Sequence, residues 1–248
     1  MNLKDLQNNW NKLGLLDPFW AIVSLKEMKD NRWEKEAFFN TGIEEIKEII
    51  EYVKSLNLNL SFHHALDFGC GVGRLTQALA NYFENVSGID IAPSMIDLAN
   101  EYNKFPQKCE YFLNDKSDLQ IFSNNTFDFI YSYITLHHIE PKYTEIYLKE
   151  FLRVLKPGGV AVFQLTSEPA LSIRGLICRF VPRKVLNVFF KIRFKCPAVM
   201  EMHALKKEKV IDLITNNNGT IIDIKPDKAH EAMNTWISYI YCVQKTNK

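Results

Sequence analysis

The feature that most constrains this chain is the decapeptide at 65–74, ALDFGCGVGR: a short apolar run closing on an acid, glycines at 69, 71 and 73, then the start of an amphipathic stretch. It reads as a buried strand, a tight turn and the first turn of a helix. Glycine permits left-handed backbone angles and leaves no Cβ between the chain and a ligand, and the helix that follows offers unpaired N–H donors at its amino end. The spacing is G-x-G-x-G rather than the G-x-G-x-x-G of a dinucleotide turn. Asp67 also stands where a negative charge would oppose a pyrophosphate, so a ligand with a cationic group suits it better. Taken alone, the run is equally compatible with an ordinary glycine-rich loop.

The flanking sequence places this turn in a repeating pattern. Apolar residues at helical spacing (Ile43, Ile46, Ile49, Ile50, Val53) predict a helix over 43–57. Strands are expected at 64–68, 86–91, 110–113, 127–133 and 159–165, and helices at 74–83, 93–102 and 143–155. Strand and helix alternating over 61–167 indicates a parallel sheet covered on both faces, because parallel strands need crossover connections. Ligands in such sheets sit beyond the carboxyl ends of the strands. After a helix at 206–217, strands at 220–225 and 236–244 follow one another with no helix between, as an antiparallel pair does.

The expected fold is therefore α/β: a doubly wound, mostly parallel seven-stranded sheet with an antiparallel C-terminal strand, plus an N-terminal helical arm and an inserted helical cap. The divisions are an aromatic-rich arm at 1–60, a ligand-binding core at 61–167, a basic amphipathic cap at 168–204, and a helix and strands at 205–248 that complete the core.

Length and charge narrow the functional classes. The 248 residues suffice for one sizeable core with additions. With 30 Lys and Arg against 29 Asp and Glu, the chain lacks the global positive field of a nucleic-acid binder. No apolar stretch approaches the roughly 18 residues of a membrane span, and the first ten residues are polar, so a cytoplasmic location is expected. Cys70, Cys109, Cys178, Cys196 and Cys242 are odd in number, scattered and without a Cys-x-x-Cys pair, which suggests neither a disulfide framework nor a metal site.

Asp90 ends the second strand seventeen residues after Gly73. A carboxylate there can accept both hydroxyls of a ribose, although taken singly it is as readily a helix-capping acid. Together with FLNDKSDLQ at 112–120, FDFIYSYITLHHI at 127–139 and LKEFLRVLKPGGVAVF at 148–163, the turn and Asp90 form an ordered set over about 100 residues that resembles the class I S-adenosylmethionine-dependent methyltransferases.

That resemblance implies S-adenosylmethionine as cofactor, held by named positions. Asp67 and the backbone of Gly69, Cys70, Gly71 and Gly73 would face the methionine moiety, and Asp90 the ribose. Asp115 and the backbone of Lys116 would read the adenine amino group, Ile91 would flank the adenine, and Ser132 or Tyr133 would meet the methionine end. Lys116 is bulkier than the small residue the family carries there. His137 and His138 follow the fourth strand, where one ring could act as general base for a hydroxyl nucleophile or serve only in packing. Trp33, Phe39 and Gly42 of the arm are candidates for the cofactor's carboxylate end, while His203 and His230 lie where each could reach substrate but read first as surface residues. His63 and His64, at the opposite end of the first strand, read as structural. No metal is expected.

The segment 169–200 holds Arg174, Arg179, Arg183, Lys184, Lys191, Arg193 and Lys195 and no acid, among many large apolar residues including Phe189 and Phe190. It fits a substrate cap, an interfacial helix at a membrane surface, or a basic face over a small core. Its place after the fifth strand favours the cap. The expected reaction is methyl transfer to a small-molecule or lipid-like acceptor. A non-catalytic or membrane-associated regulatory relative that binds the cofactor is the alternative. Nucleic-acid methylation is disfavoured, because YSYITLHH stands where an Asn/Asp-Pro-Pro-Tyr signature would be.

Overall fold

The computed structural model describes residues 2–182, 185–188, 192, 198–227 and 235–246. Seven strands, β1 (His64–Phe68), β2 (Asn85–Asp90), β3 (Cys109–Leu113), β4 (Phe127–Ser132), β5 (Leu155–Pro169), β6 (Gly219–Pro226) and β7 (Trp236–Lys245), form one sheet in the order β3-β2-β1-β4-β5-β7-β6. The pairs β1–β2, β1–β4, β2–β3 and β4–β5 are parallel. Strand β7 runs antiparallel to both β5 and β6. The strand order reverses between β1 and β4, and a crevice opens at their carboxyl ends as the doubly wound topology requires.

The α-helices that cover the sheet and carry the site are α1 (Leu3–Leu16), α2 (Pro18–Ile22), α3 (Lys35–Ser55), α4 (Arg74–Leu79), α5 (Pro93–Glu101), α6 (Pro141–Val154), α7 (Ile173–Phe180) and α8 (Lys207–Thr215). Alternate strand residues feed two cores. Leu66, Phe68, Phe127, Ile130, Ala161 and Phe163 pack with Leu148, Phe151 and Leu152 of α6 and Val210 and Ile214 of α8. Ala65, Phe129, Tyr131, Val160 and Val162 pack on the other face with Ile46, Ile50 and Val53 of α3 and with α4. Every residue of β4 is buried, the pattern of a strand covered on both sides.

Helix α3 begins eight residues before the expected 43, because Phe38, Phe39 and Gly42 continue the buried phase of Ile46, Ile49, Ile50 and Val53. Gly42 lets α3 lie against α4: a Cβ there would come within 2.6 Å of the Arg74 carbonyl. Strand β5 is longer than the expected 159–165, since the Lys-Pro-Gly-Gly turn is already in the ladder through Phe127 and Leu155. The amino-terminal helices are fixed by local chemistry. Asn2 caps α1, Asp17 caps α2 through the Trp20 N–H, and Pro18 starts α2. Asn11 then ties α1 to α5, accepting from the Ser94 N–H and Oγ–H at 2.9 Å each.

Candidate functional site

A cleft lies over the carboxyl ends of β1, β2 and β4. Its floor is the glycine turn. Gly69, Gly71 and Gly73 have φ of +81°, +53° and +82°, the left-handed region that disfavours residues with a side chain. The Gly69 and Cys70 N–H groups both donate to the Ile89 carbonyl, at 2.8 and 3.0 Å, and the Gly71 N–H donates to Asp90 Oδ2 at 2.9 Å. The turn is thereby fastened to the end of β2. Gly69, Cys70 and Gly71 line the cleft. Gly73 does not; its missing Cβ makes room for the Tyr111 hydroxyl, so it serves packing at the start of α4.

Asp90 also lines the cleft and caps its own strand, with Oδ1 accepting from the Ala92 N–H at 2.8 Å. Burial raises the pKa of its carboxyl, opposed by the hydrogen bonds from Ala92 and Gly71. Asp67 behaves differently from expectation. Strand alternation turns it to the α4 side, away from the cleft, where it is 1% exposed and accepts from the Thr76 hydroxyl at 2.6 Å. Desolvation pushes its pKa up to about 7, against the lowering effect of Thr76 and Arg74.

The adenine-side expectations also shift by one residue. Asp115 and Lys116 are exposed and do not line the cleft, whereas Asn114 does, held by its Nδ2 donating to the Asp118 carbonyl at 2.8 Å. Lys116 instead offers its carbonyl to the Tyr147 hydroxyl. Ile91 is on the cleft wall. Of the β4 pair, Ser132 is fully buried and donates to the Phe68 carbonyl at 3.0 Å, while Tyr133 lines the cleft and donates to Asp227 Oδ1 at 3.2 Å. Burial raises the Tyr133 phenol.

His137 and His138 are both buried, and only His138 reaches the cleft. Its Nδ1 lies 2.7 Å from the Glu201 carbonyl and must donate to it; its Nε2 lies 3.0 Å from Nε2 of His137, whose Nδ1 meets the Gln164 side chain at 2.9 Å. All four ring nitrogens are engaged inside the protein, which argues against the general-base role for either ring. His203 is not a surface residue: it is 1% exposed beside them, its backbone N–H donating to the His137 carbonyl at 2.7 Å, and it does not line the cleft. His230 lies outside the described residues, as do Phe189, Phe190, Arg183 and Lys184. His63 meets Glu84 and His64 meets Ser87, both away from the cleft. Trp33, Phe39 and Gly42 do not line it either. Trp33 donates to the Val23 carbonyl, Phe39 sits in an aromatic cluster, and Gly42 abuts α4.

Several cleft residues carry no sequence signal. Leu6 and Trp10 of α1 and Ile22 of α2 form a roof, with Trp10 edge-on to His138 at 5.1 Å and Gln7 donating to the Ile91 carbonyl at 3.1 Å. Ile134 lines the cleft with φ +55°, a strained conformation for a β-branched residue. Arg74, the last residue of the decapeptide, borders the turn and is held by Glu45 at 2.8 Å and Thr41 at 3.2 Å; Glu45 also accepts from the Tyr131 hydroxyl. Among the described residues no cluster of His, Cys, Asp and Glu could hold a metal ion.

A glycine turn fastened to the second strand, an acid at that strand's end, and a single antiparallel strand next to last in a seven-stranded sheet are the features of the Rossmann-like methyltransferase fold. Residues 66–163 match the methyltransferase domain family. It is 29% identical over 157 residues to a 2-methyl-6-phytyl-1,4-hydroquinone methyltransferase of Synechocystis, covering 62% of this chain and 48% of that protein. It is 32% identical over 131 residues to a demethylmenaquinone methyltransferase of Staphylococcus aureus, covering 52% and 53%. The chain thus spans about half the length of the curated relatives it matches. In fold it is similar to a magnesium protoporphyrin IX methyltransferase of Synechocystis, solved with bound SAH, at a TM-score of 0.62 and 15% identity over 97% of this chain and 98% of that one. A methyltransferase of Methanosarcina mazei gives 0.57 at 23% identity, over 81% and 98%.

Proposed function

We propose that the protein is an S-adenosylmethionine-dependent methyltransferase acting on a small, lipid-like acceptor. The observation that carries this reading is the composition of the cleft. On one side it presents the glycines 69 and 71 and the Asp90 carboxylate; the rest is a mainly apolar wall of Leu6, Trp10, Ile22, Phe68, Met95 and Ile139. Asp90 still has lone pairs for two ribose hydroxyls while keeping the turn in place. Ile91 and Asn114 suit a flat base and its amino group.

When bound, S-adenosylmethionine supplies a methyl already activated toward in-line displacement, so the protein's part is alignment and exclusion of water. The arm does the excluding: Trp10 and Ile22 close the roof, and α1 is fastened to α5 and to the end of β2. The engaged histidines fit a reaction whose acceptor needs no buried side-chain base, with His138 shaping the wall and holding residue 201. The quinone-type substrates in the relatives' names support an acceptor with an apolar tail, which the apolar wall suits.

Thermal shift and calorimetry with S-adenosylmethionine and its demethylated product, with a nicotinamide dinucleotide as control, test the cofactor. A radiolabelled-methyl assay on the lipid and aqueous fractions of a cell extract tests the acceptor. Binding of the dinucleotide with no response to S-adenosylmethionine overturns the reading. Label confined to the aqueous fraction overturns its lipid-like part.

A further inference from the structure

Helix α7 is built inside out for a globular domain. Ile173, Leu176, Ile177 and Phe180 recur at i, i+3, i+4 and i+7, the spacing of a core-facing stripe, yet they are 80%, 43%, 46% and 75% exposed. The side turned to the protein is the small one. Gly175 is buried so close to the preceding strand end that a Cβ would come within 1.9 Å of the Ala170 carbonyl, and Ser172 caps the helix from the same side by accepting the Gly175 N–H at 3.0 Å. This packing leaves the apolar stripe only one direction, outward. Leu171 (88%) extends it, and Val185, Val188 and Ile192 are exposed further along the same segment.

The charges around the stripe are of one sign. Arg174 and Arg179 are exposed and fall on either side of it around the helix. The whole stretch 169–200 has seven basic residues and no acid, while the remainder of the chain has more acids than bases. A bare apolar stripe flanked by cations on long stems is the pattern of a helix lying in a lipid interface, with its apolar side among acyl chains and its cations at the phosphates. A second copy of this chain is a poor occupant, since isologous pairing would set the same cations against each other. A nucleic acid would leave the stripe in water.

We infer that α7 and the exposed residues following it dock the protein on an anionic lipid bilayer. The segment is physically joined to the cleft. Asn187 Nδ2 donates to Glu201 Oε1 at 2.7 Å, the Glu201 carbonyl accepts from His138 on the cleft wall, and the Val199 N–H reaches Asn9 of α1 at 3.2 Å. Docking thus brings the cleft and its roof to the membrane surface. That this delivers a membrane-dissolved acceptor rests on the proposed function; the docking itself does not.

Sedimentation with phosphatidylcholine vesicles, with and without phosphatidylglycerol, tests it on the full chain. The parent protein should pellet with the phosphatidylglycerol vesicles at least about tenfold more tightly than with phosphatidylcholine alone, and added salt should weaken it. Arg174→Glu with Arg179→Glu should abolish the preference for anionic lipid. Ile173→Asp with Phe180→Asp should abolish binding to either vesicle, while melting temperature and S-adenosylmethionine affinity stay within a few-fold of the parent's. No pelleting of the parent, or undiminished pelleting of both variants, overturns the docking. A parent dimer that Ile173→Asp with Phe180→Asp converts to monomer also overturns it, because the stripe is then a self-interface. Vesicle binding without S-adenosylmethionine binding removes the methyltransferase reading and leaves the docking intact; the converse result does the reverse.

Discussion

The glycine turn and helix α7 are both short, both follow a strand of the same sheet, and both depend on glycine, yet they use it in opposite directions. At the turn, glycine removes side chains so that backbone donors and a neighbouring carboxylate face a cleft. In α7, Gly175 removes a side chain on the protein side so that large apolar residues are pushed toward solvent. The turn is held by three backbone N–H groups, two on Ile89 and one on Asp90, and tolerates almost no change. The outer side of α7 touches little and should tolerate a great deal. Elements of similar size thus carry opposite sensitivities, and that contrast can be measured.

The sharpest way to break the contrast is Gly69→Ala. It forces a side chain into φ +81° and places Cβ 2.2 Å from Thr135 Cγ2, so about 2–4 kcal/mol of stability should be lost in chemical denaturation. A loss under about 0.5 kcal/mol would show the turn to be as permissive as α7. Next comes Asp90→Ala, which leaves the Gly71 and Ala92 N–H groups without their carboxylate. S-adenosylmethionine affinity should fall by about 1.5–3 kcal/mol in calorimetry, with a smaller change in melting temperature. Unchanged affinity would return Asp90 to strand capping alone.

An effect of pH separates Asp67 from Asp90. Because burial raises the folded-state pKa of Asp67 to about 7 from its ordinary value of 3.8, the folded protein holds a proton that the unfolded chain releases. Its contribution to stability is therefore full below about pH 4 and declines as pH rises toward 7. Asp67→Asn should flatten that part of the stability profile in urea titrations at several pH values. An unaltered slope would mean that Asp67 is charged in the fold. Smallest of all, Phe180→Ser should change stability by less than about 0.5 kcal/mol, the scale of an exposed site, whereas Phe151→Ala in the core should cost about 3–5 kcal/mol.

The parts legible in the sequence are those whose signal is local. The turn, the alternation of β1 through β5 and the acid ending β2 each rest on spacings within a few residues, and all appear where expected. Direction was not legible. Asp67 and Phe68 are adjacent, and only the pleat of β1 decides that Phe68 meets the cleft while Asp67 meets Thr76. Likewise the i, i+3, i+4, i+7 pattern of α7 is the same whether the stripe faces a core or water; the short side toward Ala170 makes the choice. Contacts distant in sequence were also hidden. Gln7 to Ile91 spans 84 residues, and nothing in the polar start of the chain marks Leu6 and Trp10 as roof residues. The strained Ile134 carries an ordinary residue type and left no trace.

The bonds from Asn187 to Glu201 and from Glu201 to His138 have a consequence for affinity. They form a chain of two hydrogen bonds between the outer segment and the cleft wall. Thermodynamic reciprocity then applies: whatever factor a vesicle adds to affinity in the cleft, occupancy of the cleft adds to affinity for the vesicle. If a vesicle strengthens binding in the cleft, a protein wired in this way holds the bilayer more tightly when loaded than when empty.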